Sequence, residues 1–269
     1  MTTHVNVRTE MRVPVTAPGR VAMSVAVAAS ASAADSMTVT DQDGNWVPLT
    51  QVGVTRGGRM HVIDARVGHI NVDYEASVSL GPPPDERLTA SDELLYRRPS
   101  RYCPSDRLGG IAAAEIGGAG SPAQIARATA RWLYDHVTYL TGSTDVEDDA
   151  LAPLTTRHGV CRDFAHLGIA FCRSLGVPAR YVSVYAPGLD PMDVHAVFEA
   201  AVDGRWLVFD GTMLAPRESL VRIATGRDAA DTALLTPLGA SIEPPTTRVT
   251  VTVDPALPHD DHHHDVVLA

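Results

Sequence analysis

The stretch Arg157-His-Gly-Val-Cys-Arg-Asp-Phe-Ala-His-Leu-Gly-Ile-Ala-Phe-Cys-Arg-Ser-Leu-Gly-Val-Pro-Ala-Arg180 decides how this chain reads. Phe164, Leu167 or Gly168, Phe171 and Leu175 recur at helical spacing, so one face is apolar and can dock on a core. Gly176 tolerates a positive φ just past the last turn, and Pro178 prevents the helix from continuing. Cys161 therefore stands at the helix start, where unpaired backbone N–H groups and the positive pole of the helix favour an anion. The pattern marks it as a candidate thiolate nucleophile.

Two further residues complete a catalytic pattern, each at the edge of a strand-like run. Asp193-Val-His-Ala-Val-Phe-Glu-Ala-Ala-Val202 carries His195 near its start, and Arg205-Trp-Leu-Val-Phe-Asp-Gly-Thr212 carries Asp210 near its end. Asp203-Gly204 between them is a hairpin turn signal. A hairpin packed against the Cys161 helix would let the imidazole take the thiol proton and later protonate a leaving group. Asp210 would then fix the imidazole tautomer.

The strings Gly159-Val-Cys-Arg-Asp-Phe-Ala-His-Leu167, Gly176-Val-Pro-Ala-Arg-Tyr-Val182, His195-Ala196 and Phe209-Asp-Gly-Thr212 together resemble the core motifs of bacterial transglutaminase-like proteins. The resemblance implies a papain-like core, a Cys-His-Asp triad at Cys161, His195 and Asp210, and acyl chemistry through a thioester. The chain departs from the family where Val197 follows His-Ala in place of the usual Trp, and where Asp-Gly-Thr replaces Asp-Pro-Thr. Both departures bear on substrate preference and the wall of the acyl site. In similar proteins an aromatic residue upstream of the nucleophile helps hold the oxyanion. Tyr139 is the candidate here, with Trp132 beside it, and the Cys161 backbone N–H is a further donor.

Other readings compete at single residues. Cys172 lies near the apolar side of the same helix and reads as packing, and Cys103 sits in a proline-punctuated loop with no helix end to activate it. Cys, His and Asp all ligate zinc, yet no Cys-x-x-Cys or His-x-x-x-His pairing supports a zinc site. His166 points away from Cys161 on its helix and reads as packed or solvated. His158 is the main competitor for the base, but it precedes the helix and has no following strand to orient it. Ser121-Pro-Ala-Gln124 opens another helix with a capping-box pattern, along which Ile125, Ala128, Trp132 and His136 share a side.

Composition limits the function classes. A chain of 269 residues with 45% hydrophobic content can bury one substantial core and a smaller one. A formal charge of −10 without any basic run argues against nucleic acid as a partner. Three cysteines in a chain with no disulfide-rich character suggest a reducing compartment, so the expectation is a cytoplasmic protein. Val21 to Ala34 superficially resembles a signal-peptide apolar region. It lies behind a segment containing Glu10, however, and its alternation reads as a strand. No stretch is long enough to span a bilayer as a helix. All 22 basic residues are arginine, and glutamine occurs only at 42, 51 and 124, so the chain offers itself few acyl acceptors or donors.

The expected fold is α+β. Residues 1–80 read as a small all-β domain of short alternating runs (Val5–Val15, Val21–Ala28, Met37–Thr40, Val47–Val54, Arg59–Val67, Gly68–Val78). It resembles the β region often found ahead of the core in bacterial family members. Residues 81–105 are a linker, stiffened by Gly81-Pro-Pro-Pro-Asp85, that leads into the core. Residues 106–254 form the transglutaminase-like catalytic domain, a helix carrying Cys161 on an antiparallel sheet, with Thr246 to Val253 alternating as a last strand. Residues 255–269 read as a disordered His/Asp-rich tail with at most opportunistic metal binding.

The expected function is cysteine-dependent acyl transfer at an amide carbonyl, hydrolytic (peptidase or amidase), with no cofactor and a peptide, protein or amide substrate. Nothing in the sequence marks an amine-binding site. The alternatives are a transglutaminase passing the acyl group to an amine, or a non-catalytic binding module that keeps the fold.

Overall fold

The computed structural model describes residues 3–82, 84–117 and 120–268. Met1 and Thr2 of the expected β domain, Pro83 of the linker and Ala269 of the tail lie outside the described residues. The chain starts with β1 (Thr3–Ala17), in which Val5, Val7, Met11, Val13 and Val15 are buried and the intervening residues mostly face water. That period of two specifies a strand with one face on a core. Next come β2 (Gly19–Met23), β3 (Ser32–Asp41), β4 (Leu49–Gly53), β5 (Arg59–Ala65) and β6 (Gly68–Leu80). β1, β6 and β3 form one antiparallel sheet and β2, β5 and β4 a second. The apolar faces of both sheets, including Val13, Met23, Ile63 and Val72, share one core.

The second unit carries the cysteine helix. α1 (Ala90–Leu95), α2 (Gly109–Glu115) and α3 (Pro122–His136) precede β7 (Thr138–Tyr139), α4 (Leu151–Thr156), β8 (His158–Gly159) and α5 (Cys161–Ser174). β9 (Ala179–Tyr185), β10 (Val194–Val202), β11 (Arg205–Phe209) and β12 (Val221–Gly226) form an antiparallel sheet in the order β11-β10-β9-β12. α3 begins with the expected capping box: Ser121 Oγ accepts from the Gln124 N–H, and Gln124 Oε1 accepts from the Ser121 N–H. The β10–β11 turn has positive φ at both Asp203 (49°) and Gly204 (76°), the backbone that suits a two-residue hairpin with right-handed strand twist.

α5 differs from the one-faced helix the sequence predicts, because it is buried along its whole length from Asp163 to Arg173. Most of its polar atoms find partners inside, His166 Nδ1 being an exception among the described residues. Arg173 donates to the carbonyls of Ala179, Arg98 and Arg227. His166 Nε2 accepts from the Ala229 N–H at 3.1 Å, and its ring stacks on Tyr102. Gly168 allows this depth of packing: a Cβ there would lie 2.7 Å from the Phe198 ring of β10.

Two boundaries differ from the sequence reading. β13 (Leu235–Leu238) pairs with β2, while β14 (Ser241–Ile242) and β15 (Thr246–Asp254) both pair with β1. Residues 235–254, expected within a catalytic domain spanning 106–254, therefore complete the N-terminal sheets. The alternation of β15 shows a strand, but the open edge that receives it belongs to β1, more than 200 residues away along the chain. The residues after 254, expected as a disordered tail, are packed: Val266 and Leu268 are buried against Val182, Val197 and Val208 on the sheet face opposite α5. The Val208 N–H donates to Val266 O at 2.9 Å. Asp260 takes the Arg217 guanidinium at 2.8 and 2.9 Å. A few apolar anchors and one buried ion pair thus outweigh a polar composition. Asp260, Asp261 and His264 draw their donor atoms within 4.8 Å of one another, but both Asp260 oxygens already accept bonds from Arg217.

The two units meet over a shared apolar surface. Tyr185 of β9 and Val221 and Ile223 of β12 pack into the core of the β sandwich, and Tyr185 Oη donates to Val25 O at 2.7 Å. Among the described residues no helix is long and apolar enough to cross a membrane.

Candidate active site

Cys161 opens α5, as the sequence predicts. The Val160 N–H donates to Asp163 Oδ2 at 2.9 Å and ties down the approach to the helix, the Asp163 N–H donates back to Val160 O at 2.8 Å, and the Cys161 and Arg162 N–H groups at the helix start precede the first turn's acceptors. Asp163 is itself fully buried and also accepts from Thr144 Oγ1 and from Arg162 Nε and Nη2. The helix start is therefore held by several bonds to one carboxylate.

His195 lies near the start of β10 and Asp210 one residue past β11, and the hairpin register brings them together. His195 Nε2 is 2.9 Å from Asp210 Oδ2, and both side chains are buried. A carboxylate can only accept, so Nε2 carries the proton and Nδ1 is left as the nitrogen available to a thiol. Asp210 Oδ1 accepts from the Thr212 N–H at 2.8 Å and from Thr212 Oγ1 at 2.7 Å, which fixes the carboxylate plane. Burial opposes a charge on His195, but the Asp210 carboxylate and the neighbouring Cys161 thiol outweigh it and raise His195 to about 10. Burial likewise opposes the Asp210 charge, and His195 and Thr212 nevertheless hold its carboxyl below the usual range. Cys161 and His195 line one cavity of about 500 Å³.

Tyr139, the oxyanion candidate, reaches the same place by a backbone route. β7 runs parallel to β8, with the Leu140 N–H donating to Gly159 O, so Tyr139 is held beside the residues that lead into Cys161. Partial burial, then the adjacent Cys161 thiol and Asp193, push the Tyr139 phenol up to about 12, while the Cys161 backbone N–H acts on it in the opposite sense. The tyrosine hydroxyl, the thiol and that N–H are therefore neighbours. Trp132 is instead a packing residue: its indole N–H donates to Glu115 Oε2 at 2.8 Å and its ring lies on Phe171.

The remaining sequence candidates stand elsewhere. Cys103 and Cys172 are fully buried free thiols, each pushed up to about 12 by burial. His158 is exposed on β8, and burial together with Arg162 and Arg173 lowers His166 well below the ordinary histidine range. Sequence reasoning missed Thr212 as the second support of Asp210, although it stood in the Asp-Gly-Thr string already quoted. It also missed Ser24 on the cavity wall, for which no local signal exists.

A cysteine at a helix N-terminus, beside an imidazole that is hydrogen-bonded to a buried carboxylate, on a helix packed against an antiparallel sheet, defines the papain-like class of folds. Residues 111–211 match the sequence profile of the transglutaminase-like superfamily. A crystal structure of a candidate cysteine protease from Cytophaga hutchinsonii is 32% identical and superposes with a TM-score of 0.84, covering 98% of this chain and 96% of that one. The chain belongs to the transglutaminase-like superfamily. It is also similar to an uncharacterised protein of Mycobacterium leprae, 32% identical over 152 residues, and to one of Mycobacterium tuberculosis, 37% identical over 124 residues. Those matches cover 54% and 40% of this chain. The chain spans about half the length of the first relative (54%) and 39% of the second.

Proposed function

We propose that this protein is a cysteine-dependent hydrolase of amide bonds, acting on a peptide, protein or smaller amide through a thioester. The observation that carries the reading is the buried His195–Asp210 pair at 2.9 Å, of which His195 lines the same cavity as Cys161. His195 Nδ1 takes the Cys161 proton, and the sulfur attacks the amide carbonyl. As the C–N bond breaks, the imidazolium returns that proton to the departing amine. Water, deprotonated by the same imidazole, then adds to the thioester; the C–S bond breaks and the thiol is restored. The Cys161 N–H and the Tyr139 hydroxyl are the donors proposed for the developing oxyanion.

The β sandwich acts here as a docked support for a catalytic unit, without a cofactor, and the three free cysteines suit a reducing, cytoplasmic setting. Incubating the protein with a library of peptide amides, with and without a primary amine such as cadaverine, tests this reading. Release of free carboxylate, lost in Cys161→Ala, is the expected result. Amide products formed in preference to acid would make the protein a transglutaminase, and turnover retained by Cys161→Ala would remove the thiol from the chemistry.

A further inference from the structure

The cavity beside Cys161 is built by both units. Tyr181 and Ala196 come from the core sheet, Ala233, Leu234 and Leu235 from the segment leading into β13, and Ser24 from the residue after β2. Its volume of about 500 Å³ falls within the range of small-ligand sites. Ser24 is only 1% exposed, and its Oγ has no hydrogen-bond partner among the described residues, although its backbone N–H is anchored on Leu234 O at 3.0 Å. A buried hydroxyl without a partner is costly unless something else completes it. Here that hydroxyl belongs to a residue that lines the same cavity as the nucleophile.

The charge inside the cavity is already balanced. His195, which lines the cavity, is paired with Asp210 Oδ2 at 2.9 Å, and Arg162, the one arginine among the described lining residues, gives its Nε at 3.2 Å and its Nη2 at 3.0 Å to Asp163 Oδ1. Among the described residues no carboxylate lines the cavity. A charged substrate side chain would enter without a counter-ion of its own, which is unfavourable. An uncharged apolar body fits the alanine, leucine and tyrosine walls, and a hydrogen-bonding tip would meet Ser24.

We propose that this cavity is a specificity pocket for the residue on the acyl side of the scissile amide. It selects an uncharged side chain with an apolar body and a hydroxyl tip, of which tyrosine is the natural instance, and the β sandwich supplies the recognising group, Ser24. The proposal rests on Cys161 as the nucleophile and adds the substrate class. It also gives the sandwich a part in recognition as well as support.

Acetyl-X-chloromethyl ketones with X = Tyr, Phe, Glu and Lys test it on the full chain, with alkylation of Cys161 followed by peptide mass spectrometry. In that reaction the sulfur displaces chloride and the thiol proton leaves with the base, so no turnover is needed. Tyr and Phe reagents should react at least about tenfold faster than Glu and Lys, and Tyr several-fold faster than Phe. Ser24→Ala should erase the Tyr/Phe ratio, a comparison made within one preparation and so insensitive to how much of it is folded. Ala233→Phe should bring all four reagents toward the rate of chloroacetamide, which has no side chain. Four wild-type rates within twofold of one another, or a Tyr/Phe ratio unchanged in Ser24→Ala, would overturn the pocket. A retained ranking without hydrolysis of any amide would overturn the hydrolase reading and leave the pocket standing.

Discussion

His195 and Asp210 form a buried hydrogen-bonded pair, Nε2 to Oδ2 at 2.9 Å, in which each stabilises the charged form of the other. In the proposed mechanism Asp210→Asn keeps the hairpin but no longer enforces the tautomer that presents Nδ1 to the thiol. The expected loss is about 10²-fold or more in kcat with little change in KM, measured on any amide the wild type hydrolyses.

The same pair gives a pH signature in stability. His195 is raised from its ordinary 6.5 to about 10, so its contribution is complete below pH 6.5 and is lost as the pH rises toward 10. Denaturant melts at intervals between pH 6 and 10 should therefore show a fall in stability for the wild type. A shallower fall is expected in Asp210→Asn, whose imidazole no longer has a carboxylate to hold its proton.

Gly211 accounts for the departure from Asp-Pro-Thr in packing terms. A Cβ at 211 would lie 2.8 Å from Leu133 Cδ1 and 2.9 Å from Leu133 Cβ, so α3 presses directly on the residue after Asp210. Gly211→Ala should cost roughly 1–3 kcal/mol through overpacking. Leu133→Ala should cost about 2–5 kcal/mol through the cavity it leaves. The double variant should be clearly less destabilised than the sum of the two, as read from a double-mutant cycle in urea.

Glu199 sits between two arginines in the core sheet, with Oε2 at 2.6 Å from Arg180 Nε and Oε1 at 2.7 Å from Arg222 Nη2. Against the cost of burial, these neighbours push its carboxyl down to about 2. Glu199→Gln leaves Arg222 buried without a carboxylate, and the expected cost is about 3–5 kcal/mol at pH 7. The sign follows from linkage: this contribution is present above pH 4.5 and is lost as the pH falls from there toward 2. Acid titration of the melting temperature should bring the variant and the wild type closer together below pH 4.

The C-terminal segment is a structural strap, so truncation after Asp254 should lower Tm and expose the outer sheet face to dye. Asp260→Ala alone, by leaving the buried Arg217 without its carboxylate, is expected to lower Tm by roughly 5–10 °C in a thermal melt.

Local signals carried much of this structure. The capping box at Ser121, the Asp203-Gly204 turn, the alternation in β1, β5 and β6 and the start of α5 at Cys161 all depend on neighbours a few residues apart, and the chain forms each where its sequence predicts, whereas the run read as a strand from Val21 to Ala28 is strand only as far as Met23. What the sequence did not disclose depends on partners distant along it. β15 reads as a strand on its own residues, but its place beside β1 is set by an edge at the other end of the chain. The tail reads as polar until Arg217 and the exposed side of the sheet are in view. At the site, the three candidate residues were legible because each occupies a recognisable element. Ser24 was not, because its meaning lies only in the cavity it faces.

The central claim is that Cys161 is activated by His195, and site-resolved alkylation by iodoacetamide tests it most directly. Between pH 6 and 7, with each rate read by mass spectrometry of the Cys161 peptide, the wild-type thiol should react faster than N-acetylcysteine under the same conditions, and His195→Ala should lose that advantage. A Cys161 rate equal to that of the free amino-acid thiol, unchanged by His195→Ala, would contradict the account.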